Sequence, residues 1–201
     1  MAVTASLGGA LALDRITRRN LISYADSRAA RTLQTYGDYT QFSGPLLSGV
    51  FLLHGWTAED PQSMTVSWDL IESFGYASAI SEALKFSLGR RRPYQTDDPF
   101  EFRPGSTSGS FPSGHTTAAF AAAATLAENY PVWQVAVPAY GAAAAVGFSR
   151  LYANKHWGSD VLGGAFLGTG VSYALHRRHT HHDEAWDLEP SPNGGMVVWR
   201  F

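Results

Sequence analysis

The chain contains 201 residues, 45% of them hydrophobic and 16% charged, and it has no cysteine. We expect residues 1–201 to form a single domain around one core, because this length is typical of one domain. The formal net charge of -2 argues against a general nucleic-acid-binding protein, and the lack of cysteine excludes disulfides, thiolate metal sites and cysteine nucleophiles.

Hydrophobic periodicity and turn residues predict an all-α protein, a bundle of about six helices. The predicted helical segments, in chain order, are residues 12–36, 46–56, 63–89, 113–129, 132–150 and 156–177. A turn-like stretch at 37–45 separates the first two, and Ser63 is expected to cap the third. A loop rich in Pro, Gly, Ser and Asp occupies 95–111. Residues 178–201 are interpreted as a polar C-terminal tail that ends in a short β-prone piece.

The hydropathy of the chain bears on a membrane location. No uninterrupted run of about 18 or more strongly apolar residues is present, and the mean hydropathy is -0.13. The last three helical segments are padded with Ala and Gly, small residues that let helices approach closely. These features favour a compact helical bundle over an integral membrane protein, with peripheral or integral membrane contact left open.

The first polar cluster is KFSLGRRRP, residues 85–93. Lys85 and Arg92 are seven positions apart, so they would share one helix face if the helix continued that far. Pro93 would stop the helix just after them. The alternative is an ordinary basic helix C-terminus, where cations interact favourably with the helix dipole.

The second cluster, Ser113, Gly114 and His115, stands directly before an alanine-rich segment. The free N–H groups of a first helical turn bind anions, Ser113 adds a hydroxyl donor, and Gly114 lets a ligand approach the backbone. The alternative is a serine cap followed by a solvent-exposed histidine.

The third cluster is SRLYANKHWGSD, residues 149–160. His156 and Asp160 are four positions apart, so on a helix the carboxylate would hold the imidazole in one tautomer. Arg150 is near enough in sequence to reach the same point across a turn. The alternative is a chance His–Asp pair on a helix.

Together the three clusters favour one shared oxyanion pocket. Lys85, Arg92 and Arg150 bring positive charges, of which Asp160 would balance one. Burying these cations side by side would cost roughly several kcal/mol unless an anion lay between them. A tetrahedral anion of about -2 charge, namely phosphate, fits this arrangement, and two histidines remain for chemistry.

In order and spacing, the three clusters resemble the signature motifs of the type-2 phosphatidic acid phosphatase superfamily. The motifs span residues 85–160, and no motif position departs from the pattern. That superfamily also includes bacterial non-specific acid phosphatases, glucose-6-phosphatase and the vanadium haloperoxidases. The resemblance implies a helical bundle with the active site at one end.

The resemblance also implies a role for each motif residue. His156 would be the nucleophile that forms a phosphohistidine, Asp160 would orient it, and His115 would be the general acid and then the general base. The phosphate-binding residues would be Lys85, Arg92, Ser113, Gly114 and Arg150. No metal or other cofactor is implied, and vanadate is expected to bind as a phosphate mimic.

The implied activity is metal-independent hydrolysis of phosphate monoesters, with lipid phosphates or pyrophosphates as further substrates. The alternative is a vanadium-dependent haloperoxidase that uses the same pocket, although those enzymes are much longer. The active sites of this family usually face the extracytoplasmic side. We therefore expect the protein to have an extracytoplasmic location, either periplasmic or membrane-associated. Its expected partner is the phosphate-ester substrate and not nucleic acid; the oligomeric state is not predicted.

Three further groups of residues occupy positions that the motifs do not specify. The 95–111 loop is expected to form a wall that selects the leaving group, with Glu101, Phe102 and Arg103 as candidates. Four tryptophans are expected mainly in the core, the last of them beside the phosphate pocket: Trp56, Trp68, Trp133 and Trp157. A histidine group near the C-terminus is interpreted as a solvated tail rather than a metal site: His176, His179, His181 and His182.

Overall fold

The computed structural model describes residues 14–21, 27–184, 187–189 and 196–198. Within these ranges the chain forms seven α-helices and one pair of short strands. The helices are α1 (14–21), α2 (Arg28–Tyr39), α3 (Ser43–Ala58), α4 (Pro61–Leu88), α5 (Gly114–Asn129), α6 (Trp133–Tyr152) and α7 (Gly158–Glu184). The strands are β1 (Asp187–Glu189) and β2 (Met196–Val198), which pair antiparallel. The predicted all-α fold is confirmed, with one helix more than the six expected segments.

The N-terminal half differs from the prediction at two turns. The first expected segment, 12–36, contains two helices, α1 and α2, and residues 22–26 lie outside the described ranges. The expected break at 37–45 is present but shorter, because α2 continues to Tyr39, a 3-10 turn follows, and α3 begins at Ser43. Pro45 falls in the first turn of α3, where its missing N–H removes no helical hydrogen bond.

Helix α4 begins earlier than predicted and ends one residue sooner. Its cap is Asp60, whose carboxylate accepts a hydrogen bond from the Gln62 N–H at 3.1 Å. The expected Ser63 cap is therefore wrong, and the buried Ser63 hydroxyl instead donates to Asp60 at 2.7 Å. The helix ends at Leu88 because Gly89 adopts a φ of 58°, in the left-handed region that favours glycine.

Helix α5 is the centre of the bundle and packs against α4, α6 and α7. Its buried face is almost entirely alanine and threonine, which lets the neighbouring helices come close. A methyl group added to Gly168 of α7 would overlap with the Thr117 carbonyl of α5. Polar side chains also join these helices, since the Thr125 hydroxyl lies 2.9 Å from both Ser73 and Ser172.

The outer surface of the bundle carries many large apolar side chains. Of the four tryptophans expected mainly in the core, Trp157 is buried, but Trp56, Trp68 and Trp133 are 74%, 66% and 71% exposed. The core expectation is therefore wrong for these three. Across the described part of the chain, no helix is both long and apolar enough to span a bilayer.

The expected polar tail is partly helical. Helix α7 continues to Glu184, and the predicted β-prone piece includes β2. His179 lies between two carboxylates of α4, with Nδ1 3.1 Å from Asp69 and Nε2 3.2 Å from Glu72, so it is not simply a solvated side chain. Among the described side chains no group of three or more potential ligands is arranged to hold a metal ion. The side chains of His181 and His182 lie outside that description.

Candidate active site

All three sequence clusters meet at one end of the bundle. Lys85 comes from the last turn of α4, Gly114 opens α5, Arg150 lies in the last turn of α6, and Asp160 lies in the first turn of α7. The Ser113 N–H donates to the Asp160 carbonyl at 2.9 Å, which joins the starts of α5 and α7. The predicted location of the site at one end of the bundle agrees with this arrangement.

His156 is held in a tight turn just before α7, not within a helix as predicted. The turn follows α6 and includes Asn154 with a φ of 53° and a Lys155 N–H that donates to the Arg150 carbonyl at 3.2 Å. The imidazole is 5% exposed, and burial lowers its pKa. Its Nδ1 lies 2.8 Å from the carbonyl oxygen of Ser110. Because a carbonyl only accepts hydrogen bonds, Nδ1 carries the proton and Nε2 keeps a free lone pair.

Asp160 does not hold the tautomer of His156, as the sequence had led us to expect. Its Oδ2 lies 3.7 Å from His156 Nδ1, too far for a hydrogen bond, and accepts instead from the Trp157 N–H at 2.8 Å. Its Oδ1 accepts from Arg90 Nη1 at 2.6 Å. Asp160 is fully buried, so it supplies a fixed negative charge beside the ring while Ser110 fixes the ring proton.

The N-terminus of α5 presents backbone and hydroxyl donors. Ser113 occupies the cap position, but its side chain makes no capping hydrogen bond. Its buried hydroxyl oxygen accepts from Thr116 at 2.9 Å, which leaves the hydroxyl proton of Ser113 to be donated to another group. A helix N-terminus with such donors favours an anion.

Lys85 lies directly against this helix terminus. A Cβ added to Gly114 would be 2.7 Å from Lys85 Nζ, so the missing side chain is what admits the ammonium group. Lys85 also forms an ion pair with Glu82, one turn earlier in α4. Its side chain is 12% exposed, which places the charge at the edge of the buried region.

Arg92 reaches the site from the loop, because α4 ends before it. The expectation that Lys85 and Arg92 share a helix face is therefore wrong. The Arg92 guanidinium contacts only backbone carbonyls among the described residues, those of Ser108, Lys155 and Gly109 at 3.2, 3.4 and 3.5 Å. Burial is the main cause of the lowered pKa of His156, and the positive charge of Arg92 contributes to it.

Arg150 is fully buried and is bound by α2. Its Nη1 donates to Asp38 at 2.6 Å and its Nη2 donates to the Gln34 carbonyl at 3.0 Å. Asp38 also lies 3.3 Å from Lys155 Nζ, and the bond from Arg150 is the main reason why the pKa of Asp38 is lowered. Asp38 was not predicted as a site residue, because nothing in the local sequence connects it with Arg150, 112 positions later.

These partners correct the charge balance that was predicted. Asp160 pairs with Arg90, Arg150 with Asp38, and Lys85 with Glu82. The predicted excess of positive charge was therefore overstated. A net positive charge still remains, because Lys155, which was not predicted as a site residue, shares Asp38 with Arg150, and Arg92 has no carboxylate partner among the described residues.

His115 is the second imidazole at this end of the bundle. Its pKa is lowered to about 4, mainly by burial and then by Arg150 and His156, while Asp38 acts in the opposite direction. These mutual effects show that the charged groups share one electrostatic environment. His115 is therefore neutral near pH 7 unless an added negative charge raises its pKa.

The loop candidates serve as anchors in the structure. Glu101 bonds to Arg91 at 3.1 Å and to Arg103 at 2.9 Å, and Phe102 lies beside the Arg90 guanidinium. Residues 108–110 of the loop accept from the side chains of Arg92 and His156 through backbone carbonyls. The side chain of Gln95 also accepts from the Arg92 backbone N–H at 3.1 Å.

An all-α bundle that gathers two imidazoles, several cations and a helix N-terminus at one end is typical of the class of proteins that bind oxyanions. Comparison with known families agrees with that class. The profile of the PAP2 superfamily matches residues 67–183, more than half of the chain, and the protein belongs to this superfamily.

Relatives with assigned names share parts of the chain. An undecaprenyl-diphosphatase of Sulfolobus acidocaldarius is 32% identical over 52% of this chain and 50% of its own length. A lipid A 1-phosphatase of Porphyromonas gingivalis is 41% identical over 42% of this chain and 17% of its own. An acid phosphatase of Zymomonas mobilis is 37% identical over 46% of this chain and 36% of its own. The chain thus spans half or less of the length of each of these relatives.

The fold is also found among solved structures. A transmembrane PAP2-type phosphatidylglycerolphosphate phosphatase from Bacillus subtilis superposes with a TM-score of 0.63 over 90% of this chain and 87% of that one, at 21% identity. Likeness at this level of identity concerns the fold alone.

Proposed function

We propose that the protein is a phosphatase that hydrolyses phosphate monoesters through a phosphohistidine on His156, without a metal ion. The observation that carries this proposal is the buried ring of His156, whose Nδ1 proton is fixed on the Ser110 carbonyl so that Nε2 is the free nucleophile. Cations and a helix N-terminus at the same end of the bundle suit the charge of a phosphoryl group in transfer.

The proposed reaction has two steps. Nε2 of His156 bonds to phosphorus as the bond from phosphorus to the ester oxygen breaks, and the leaving oxygen takes a proton from His115. Neutral His115 then removes a proton from water, whose oxygen attacks phosphorus and breaks the bond to nitrogen. Phosphate leaves, and both imidazoles return to their starting states.

His115 must be protonated for the first step, although its pKa is lowered to about 4. A bound phosphate dianion beside Arg150 counteracts the positive charges that lower this pKa. The substrate therefore supplies the charge that converts His115 into an acid. This predicts that the alkaline limb of the kcat profile, which reports the complex, lies at higher pH than that of kcat/KM.

Trapping experiments test the nucleophile directly. With ³²P-labelled p-nitrophenyl phosphate and an alkaline quench, we expect label on the wild-type protein and none on His156→Ala. His115→Gln is expected to release a burst of nitrophenol and to accumulate label, because this leaving group needs no acid while water activation is lost. His54→Ala is the matched control, since His54 lies outside the site and bonds to Ser63. An unchanged turnover rate in His156→Ala would refute the proposal.

We further propose lipid phosphates or pyrophosphates as substrates and a membrane-associated, extracytoplasmic location. Two of the relatives described above are named for such substrates. Exposed aromatic side chains at Trp56, Trp133 and Phe166 are suited to a lipid surface. Phosphate release should be compared among phosphatidic acid, diacylglycerol pyrophosphate, isoprenyl pyrophosphate and p-nitrophenyl phosphate, with and without detergent. Equal rates on all four would contradict a lipid preference.

Vanadate distinguishes the proposed phosphatase activity from the alternative haloperoxidase activity. As a phosphatase, the protein should lose phosphate release when orthovanadate occupies the cation cluster. Bromide oxidation by peroxide in the presence of vanadate would instead support the alternative activity.

A further inference from the structure

A buried ion cluster lies directly behind His156. The Arg90 guanidinium is 4% exposed and bridges two fully buried carboxylates, Asp14 of α1 and Asp160 of α7. We propose that Arg90 and Asp14 are positioning residues that hold the His156 turn and set its charge environment for catalysis. This inference rests on the proposed role of His156 as the nucleophile.

Arg90 uses its guanidinium as a fork. Nη1 donates to Asp160 and to the Ser159 hydroxyl, both at 2.6 Å, and Nη2 donates to Asp14 at 2.7 Å. Its Nε donates to the Pro99 carbonyl at 2.9 Å, which connects the cluster to the loop after α4. A lysine offers one point charge and cannot reproduce this planar set of bonds.

Asp14 binds the first turn of α7 from a different helix. Its Oδ1 accepts the Ser159 N–H at 2.7 Å, and its Oδ2 accepts the Ser159 hydroxyl at 2.7 Å. Because Oδ2 also accepts from Arg90, every polar atom of this carboxylate is used. Asp14 therefore fixes the backbone next to Asp160 and, through Trp157, the turn that carries His156.

The cluster also has an electrostatic effect on the reaction. Two carboxylates share one guanidinium, so the Asp14–Arg90–Asp160 cluster itself carries one net negative charge. When Nε2 bonds to phosphorus, the ring acquires positive charge, which this negative charge stabilises. The charged groups that face the ring are Asp14, Asp160, Arg18, Arg90, Arg92 and His115. Removal of the Asp14 charge lets Arg90 act fully on Asp160 and disfavours the imidazolium form.

The test compares Asp14→Asn and Arg90→Lys with two matched controls. Asp97→Asn breaks another ion pair of α1, that between Arg18 and the 95% exposed Asp97. Arg91→Lys changes the neighbouring arginine, whose side chain pairs with Glu101. We expect the two test variants to lose about 10- to 100-fold in kcat with KM within about twofold, and the controls to keep wild-type kinetics.

Two readouts separate positioning from a merely structural role. In Asp14→Asn the acid limb of the kcat/KM profile should move to lower pH, and ¹⁵N NMR of the His156 ring should show a lowered pKa. The NMR measurement of the His156 ring needs no turnover, so it tests this inference independently of activity. Failure of the wild type to release phosphate would refute only the proposed function. Wild-type kcat in folded Asp14→Asn, or an equal loss in Asp97→Asn, would overturn the inference.

A milder variant decides the case if Asp14→Asn does not fold. Ser159→Ala removes the hydroxyl that Asp14 and Arg90 share but keeps the backbone bond. We expect kcat to fall several-fold with an unchanged KM. A wild-type kcat in folded Ser159→Ala would refute the positioning role of the cluster.

Discussion

The contact between Gly114 and Lys85 allows binding of the phosphoryl group to be perturbed without loss of the fold. In Gly114→Ala the new Cβ would lie 2.7 Å from Lys85 Nζ, whereas the next nearest atom is 3.7 Å away. An ammonium nitrogen and a methyl carbon need about 3.5 Å. The ammonium group must therefore move by almost 1 Å, away from the helix terminus where the anion is expected.

The size of the effect follows from what the displaced group contributes. A hydrogen bond from a charged donor contributes about 1.5–3 kcal/mol, so its loss should lower kcat/KM by about 10- to 100-fold. Stability should change by less than about 1 kcal/mol, because the end of a lysine side chain moves easily and Gly→Ala favours a helix. Gly114→Ala should thus lose activity while it keeps nearly the stability of the wild type.

The assay combines phosphate release with urea unfolding. Gly168→Ala is the matched control, because its new Cβ would overlap with the Thr117 carbonyl, a backbone atom of the central helix. We expect that variant to lose about 1–3 kcal/mol of stability while its folded fraction keeps normal kcat/KM. Gly114→Ala with wild-type kcat/KM, or with a stability loss equal to that of Gly168→Ala, would show that Lys85 does not bind the phosphoryl group as we reason.

Other predictions concern charge. The pKa of His115 is lowered from 6.5 to about 4, so between these pH values the unfolded chain binds more protons than the folded chain. The free energy of unfolding should therefore fall as the pH drops from 6.5 to 4. In urea unfolding, His115→Gln should show a weaker dependence of stability on pH than the wild type. Asp38→Asn should tighten inhibition by inorganic phosphate by up to about fivefold, because Asp38 competes for Arg150; weaker inhibition would contradict this. Calorimetry should show weaker phosphate binding by Arg92→Met, and urea unfolding should show little loss of its stability. Arg150→Met should lose both phosphate binding and stability, because Asp38 and Gln34 lose their partner.

The sequence predicted those parts of the site that depend on local pattern. Alanine-rich segments indicated close-packed helices, and the order of Lys85, His115 and His156 placed the chemistry at helix ends. Ser110 could not be predicted, because it contributes a backbone carbonyl whose position depends on the whole loop. The role of Arg90 could not be predicted either, because three arginines follow one another in the sequence. Which of them turns inward depends on where α4 ends, at Leu88.

Arg92 is the site cation that most requires an added anion. Lys85 and Arg150 have carboxylate partners in the fold, so their burial alone does not require an added anion. Arg92 contacts only carbonyl oxygens at 3.2–3.5 Å among the described residues, which are weaker partners than a carboxylate. Its guanidinium donates to the carbonyl of Lys155, the residue before His156, and its charge lowers the pKa of His156. A phosphoryl group bound to Arg92 would place its phosphorus atom against Nε2 of His156. Arg92, which has no carboxylate partner among the described residues, is therefore the cation that the proposed reaction most requires.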